Sequence, residues 1–290
     1  MNFVLYLQIS LLMKYYFLLC CLVFLGCRKD DLTPLPEQTM PNIAYGTDAA
    51  QKMDIYLPAG RNFSPSKVII IIHGGAWNQG DKADFTSYVD TLKRRLPDYA
   101  IFNINYRLAT GTNNFFPAQE NDIKAAVDFI YSKRLEYDIS DKYVLLGASA
   151  GGHLALLQTY KYSTPVKIKA VVDFFGPTEL ADMYNNPPNP FIPLLLQQVT
   201  GGTPVTHATL YQQSSPLNFT TAQSSPTIIL QGGLDIVVSP SQALLLNNRL
   251  QSLGVIHEYV FYPAEGHGWF GANLTDSFDK IALFLAANVN

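Results

Sequence analysis

Ser149, Asp235 and His267 supply the three groups that turn an alcohol into a nucleophile: a hydroxyl to attack, an imidazole to take its proton, and a carboxylate to hold the imidazole in one tautomer. Ser149 lies in Gly147-Ala148-Ser149-Ala150-Gly151, a G-x-S-x-G sequence. A serine presented on a tight strand-to-helix turn needs small neighbours, because larger side chains would collide with the adjoining strand and helix. A purely structural glycine turn would read the same way. The context favours chemistry, because Tyr143–Leu146 reads as a buried strand and Leu154, Ala155, Leu157 and Gln158 fit a helix.

His267 is the expected base, since it stands in the glycine-flanked loop AEGHGWF after the last strand-like run. His73 and His153 are expected to be structural, and His207 and His257 to be ordinary surface or core residues. Asp235, in LQGGLDIVVSP, is the expected acid, with helix capping as its alternative role. Asp173, in VVDFFG, is held in reserve. The order Ser, Asp, His along the chain is that of α/β-hydrolases and differs from the chymotrypsin and subtilisin orders. A developing oxyanion also needs N–H donors, and His73-Gly74-Gly75-Ala76-Trp77, after a run of four isoleucines, is built to turn amides toward a site. Trp77 either lines an acyl or alcohol pocket or belongs to the core. Arg107 is expected to pair with Glu120 or Asp122, and Asp81 to cap the helix that follows it.

These residues need a scaffold that brings them to one edge. KVIIIIHGG reads as a central strand and KMDIYLP as an edge or half-exposed one. Helix-like stretches (85–96, 118–133, 151–160) alternate with the strand-like AIFNINY, YVLLG and KAVVDFF. The alternation breaks over 176–226, rich in Pro, Asn, Ser and Thr, and resumes with PTIILQGG, a helix over 239–253, HEYVFY and a helix over 275–287. The fold class is therefore α/β, with a mostly parallel central sheet flanked by helices on both faces and a lid-like insertion around 176–226.

HGGAWNQGDK, NYRLA, GASAGGHLAL, GGLDIVV and EGHGW together resemble the α/β-hydrolase fold esterases and lipases that carry HGGxW, including feruloyl and acetyl xylan esterases. The likeness runs from about Asp54 to the C-terminus and is weakest across 176–226. It implies a serine carboxylesterase that uses no metal or organic cofactor. It also implies an oxyanion hole made by the N–H groups of Gly75, Ala76 and Ala150, with His73 bracing the loop. Ala76 and Trp77 stand where hormone-sensitive-lipase relatives have a third glycine, so a preference for tertiary-alcohol esters does not carry over. Peptidases and aryl formamidases of the same architecture, and a surface binding protein that has lost the reaction, are the competing readings.

The chain has 290 residues, a formal charge of -3 and no basic stripe, which leaves no electrostatic reason to expect nucleic acid and points to a neutral or small ester substrate. Its cysteines, Cys20, Cys21 and Cys27, all fall in the first apolar segment, so disulfides play no part in the globular region. Residues 1–27 read as an export signal starting at Met1 or Met13, or alternatively as an anchor helix. FLGC resembles a lipoprotein signal with a lipid on Cys27, and RKDD resembles a surface-sorting signal of Bacteroidetes lipoproteins. The expected location is the cell envelope, with membrane attachment through that lipid. A polar, proline-rich tether over 28–41 would lead to a domain over 42–290.

Overall fold

Ser66–Ile72 alternates its side chains between two apolar layers, Val68, Ile70 and Ile72 into one and Ile69 and Ile71 into the other. That is why its isoleucine run is continuous: both faces of the strand are covered. It is the third strand, β3, of an eight-stranded sheet in a computed structural model that describes residues 33–290. The others are β1 (Gln38–Ala44), β2 (Lys52–Leu57), β4 (Tyr99–Ile104), β5 (Ile139–Ala148), β6 (Ala170–Phe174), β7 (Thr227–Gly232) and β8 (His257–Tyr262). Their order is β1-β2-β4-β3-β5-β6-β7-β8, antiparallel at β1/β2 and β2/β4 and parallel elsewhere. The mostly parallel sheet read from the sequence is the one observed.

Helices cover both faces. α1 (Thr86–Arg95) and α8 (Gly271–Asn288) bury Val89, Leu92, Phe278 and Ile281 on one. α2 (Ala118–Ser132), α3 (Ala150–Lys161) and α7 (Pro240–Ser252) bury Ile123, Val127, Leu154, Leu157, Leu246 and Leu250 on the other. The parallel strands β3, β5, β6 and β7 thus end along one edge, and the loops leaving that edge carry His73, Ser149, Phe175 and Asp235.

One expectation changes. One compact unit spans Leu35–Asn290, and within it β1 starts at Gln38, inside the stretch 28–41 read as a tether. Gln38, Thr39 and Met40 pair with Leu57, Tyr56 and Ile55, which makes β1 the edge strand and puts β2 inside the sheet. Pro41 is tolerated there because the pairing shifts between Met40 and Ile43, and an edge strand has N–H positions that need no partner. The insertion, whose structure the sequence left open, is helical, with α4 (Leu180–Asn185), α5 (Ile192–Thr200), α6 (Ala208–Gln213) and a 3₁₀ turn at Pro216–Phe219. Leu180, Met183, Leu196 and Tyr211 pack into the larger apolar cluster. Helices this short show too few turns for a sequence period to emerge. The signal segment, Cys27 and RKDD lie outside the described residues. Among the described residues, no helix is long and apolar enough to cross a membrane.

The turn at Ser149 meets the core at Gly151, where an added Cβ would lie 2.0 Å from the Ile72 carbonyl oxygen and 2.5 Å from that of His73. Both neighbours are backbone and cannot swing aside, so Gly151→Ala should destabilise the fold by about 1–3 kcal/mol, the usual range for overpacking. Urea unfolding that gave wild-type stability would show that β3 and α3 need not approach so closely.

Candidate active site

Ser149 joins β5 to α3 at φ 56° and ψ −122°, a conformation that residues with a Cβ rarely adopt. Its N–H donates to Phe174 O (2.8 Å), and its carbonyl accepts from His153 N (3.0 Å), so the strained residue is clamped between β6 and the first turn of α3. The hydroxyl is 2.9 Å from His267 Nε2, and His267 Nδ1 is 2.7 Å from Asp235 Oδ2. The Asp235 side chain is fully buried, and its other oxygen accepts the N–H groups of Val237 (2.8 Å) and Val238 (2.9 Å). With those bonds fixing the carboxylate, Nδ1–H donates to Asp235, and the free Nε2 lone pair receives the serine O–H. The three side chains expected to meet do meet.

Phe175 completes the cradle of the imidazole, its ring centroid 4.7 Å from that of His267. Sequence reading missed it, and its positive φ of 44° leaves no mark in the residue types. Trp269 packs against Phe175 at 5.3 Å and anchors its indole N–H on Ser277 Oγ at 2.9 Å.

The loop after β3 has three successive residues in the left-handed region, Gly75 (φ 103°), Ala76 (52°) and Trp77 (58°). Gly75 O accepts Asn78 N and Gln79 N, whereas the N–H groups of Gly75 and Ala76 have no acceptor among the described residues. Ala150 opens α3, so its N–H has no partner within the helix. The loop lies against Ser149: a Cβ added to Gly74 would be 3.4 Å from Ser149 Cβ. His73 braces it as expected, stacked on Tyr106 at 4.3 Å with Nδ1 2.7 Å from Gly74 O, while the Tyr106 hydroxyl donates to His73 O (3.0 Å). Burial lowers the His73 pKa and favours the neutral ring.

Trp77 is not a pocket residue. It is 2% exposed, and its indole N–H donates to His153 Nδ1 at 3.2 Å. The left-handed turn at Ala76 and Trp77 carries the side chain into the core, where it finds that acceptor. Arg107 forms a forked pair with Asp122 (2.6 and 2.9 Å), while Glu120 takes Lys161 (2.8 Å) and the Tyr162 hydroxyl (2.6 Å). Asp81 caps the 3₁₀ turn Lys82–Phe85 in a capping box. His207 and His257 bond locally, to Thr206 Oγ1 and Val255 O. Asp173, the reserve acid, is fully buried, with Oδ1 accepting Gly176 N at 2.9 Å; Asp235 is the carboxylate bonded to His267. Among the described residues no group of three or more His, Cys, Asp and Glu side chains could hold a metal ion.

A family model, BD-FAE, matches residues 53–250. Esterase LipC of Mycobacterium tuberculosis is 26% identical over 88% of this chain and 71% of its own length. Dipeptidyl aminopeptidase BIII of Pseudoxanthomonas mexicana is 26% identical over 77% of this chain, which spans only 33% of that protein. Among solved structures, a truncated carbohydrate esterase from gut microbiota superposes with a TM-score of 0.75 at 26% identity, covering 86% of this chain and 95% of that one.

Burial pushes the Asp173 carboxyl up to about 7, from 3.8. The folded state therefore keeps a proton that the unfolded chain releases above its lower pKa, and stability falls as pH rises from about 4 to about 7. An asparagine at this position never ionises, so Asp173→Asn should become more stable relative to wild type across that window. Urea unfolding at several pH values measures the difference, and an opposite trend would mean that Asp173 is charged in the native state.

Proposed function

The chain belongs to the BD-FAE family and is an ester hydrolase, and we propose that Ser149, His267 and Asp235 carry the reaction through an acyl-enzyme. The observation that carries this reading is the unbroken hydrogen-bond chain from Asp235 through His267 to Ser149, 2.7 and 2.9 Å long. Ser149 Oγ attacks the ester carbonyl as its proton passes to His267 Nε2. Asp235 stabilises the imidazolium through Nδ1–H, and Nε2–H then protonates the departing alcohol. Water enters by the same route and frees the acid. The N–H groups of Gly75, Ala76 and Ala150 receive the oxyanion, and the dipole of α3 adds to their field.

Beside this loop is a cavity of about 370 Å³ lined by Gly74, Gly75, Gln79, Gly80, Asp84 and Phe85. Gln79 offers both a donor and an acceptor, and Asp84 a carboxylate that also takes the Asp81 N–H. Phe85 adds a half-buried ring. This mix suits a polyhydroxylated alcohol, in agreement with the carbohydrate esterase likeness, so acylated polysaccharide, acetylated or feruloylated, is the proposed substrate class. A lipid on Cys27 would hold the enzyme at the cell envelope, where such polymers are met; both lipid and location are part of the proposal.

Ser149→Ala should lower turnover of a p-nitrophenyl acetate-type ester by about a millionfold, and Asp235→Asn by about four orders of magnitude. Near-wild-type activity of either variant would end the triad assignment. Methyl ferulate, acetylated xylan, an aryl formamide and a dipeptide amide, assayed together, test the substrate class. Faster cleavage of the formamide or the amide would move the enzyme to the formamidase or peptidase reading. Gln79→Ala should reduce kcat/KM for an acetylated oligosaccharide about tenfold relative to that for the aryl acetate; an unchanged ratio would remove the cavity from the binding site.

A further inference from the structure

His153 stands one helical turn after the nucleophile, and no water reaches it: the residue is 0% exposed. An imidazole in such a place is costly unless both nitrogens are bonded. Both are. Trp77 Nε1 lies 3.2 Å from His153 Nδ1, and Ser214 O lies 2.7 Å from His153 Nε2. An indole N–H only donates, so Nδ1 is the acceptor; a carbonyl only accepts, so Nε2 carries the hydrogen. Burial drives the His153 pKa down to about 4, which keeps the ring neutral and this tautomer intact near neutral pH. Trp77 and Phe116 enclose the ring edge-on, at 5.1 and 5.5 Å.

These bonds join three parts of the molecule that sequence keeps apart. Trp77 follows Gly75 and Ala76, whose N–H groups face the oxyanion in the proposed mechanism. His153 belongs to α3, which carries Ser149 and Ala150 at its N-terminal end. Ser214 closes α6 of the insertion. Trp77 O also accepts Ala109 N at 2.9 Å, so the loop is held at the backbone and again at the indole. We propose that His153 is a positioning residue for the oxyanion hole: through Trp77 it fixes the Gly75–Ala76 amides relative to Ser149 and ties their placement to the helical insertion.

The inference rests on the triad reading, and the two can fail separately. A fluorophosphonate that does not label Ser149 in the wild-type protein would sink the triad and this inference with it. With labelling established, Trp77→Phe keeps an aromatic ring and removes only the indole N–H, whereas His153→Leu removes both bonds. Activity is expressed per fluorophosphonate-titrated site, so that loss of folded protein lowers the titre and not the result. In Trp77→Phe, kcat per site should fall about tenfold or more while KM stays within about threefold, because sub-ångström displacement of donors weakens transition-state contacts most. A trifluoromethyl ketone, whose adduct carries the oxyanion, should lose affinity in parallel. His153→Leu should show the same split with a larger loss; if it fails to fold, Trp77→Phe decides alone. Wild-type kcat per site and wild-type ketone affinity in folded Trp77→Phe would overturn the proposal and leave the triad standing.

Discussion

The backbone of Ser149 is the constraint on which the rest depends. At φ 56° and ψ −122° the residue is in a costly conformation, and the surrounding packing must over-determine it. Phe174 O and His153 N hold its two backbone groups, while Gly151 lets the following helix close to within 2.0 Å, measured from an added Cβ, of the end of β3. Without that approach the hydroxyl would not stand clear of the sheet edge, and the loop carrying Gly75 and Ala76 would lose the surface it packs on.

Around the turn, burial and backbone partners set what each polar side chain can do. Asp235 has both oxygens engaged, the Val237 and Val238 N–H groups bonding one while His267 takes the other. Asp173, also buried, receives only the Gly176 N–H, and its second oxygen has no partner. The same residue type thus meets different demands according to the number of N–H groups turned toward it. Only the carboxylate with the fuller set of donors is bonded to the imidazole. Burial penalises the charged ring at His73 and His153 and so favours the neutral form of each.

The stretch from Gly75 to Trp77 solves a local problem in an unusual way. Ala76 and Trp77 bear side chains in the left-handed region and are strained, while Gly75 adopts it freely, and the loop is held by the Tyr106 hydroxyl, the His73–Tyr106 stack and the buried Trp77–His153 bond. Trp77 fastens the loop to the core through its indole N–H. Its large ring is therefore scaffold, and the polar rim at Gln79 and Asp84 is left to face the cavity.

The parallel sheet, its covering helices and the serine, histidine and aspartate that meet at the sheet edge were legible in the residues themselves. Buried strands must be apolar on both faces, a strained nucleophile turn admits only small neighbours, and a triad needs particular functional groups in a particular order. Those are local requirements, and local chemistry writes them into composition. Trp77 in the core, Phe175 against the imidazole, the pairing of Gln38–Ala44 and the short helices of the insertion were decided only by tertiary structure. Each depends on a backbone angle or on a partner remote in the chain: Trp77 on His153, Phe175 on His267, β1 on β2, and the insertion on the apolar cluster beneath it. An indole or a phenyl ring has the same affinity for a pocket as for a core, and which one it fills is settled by the direction in which the folded backbone points it.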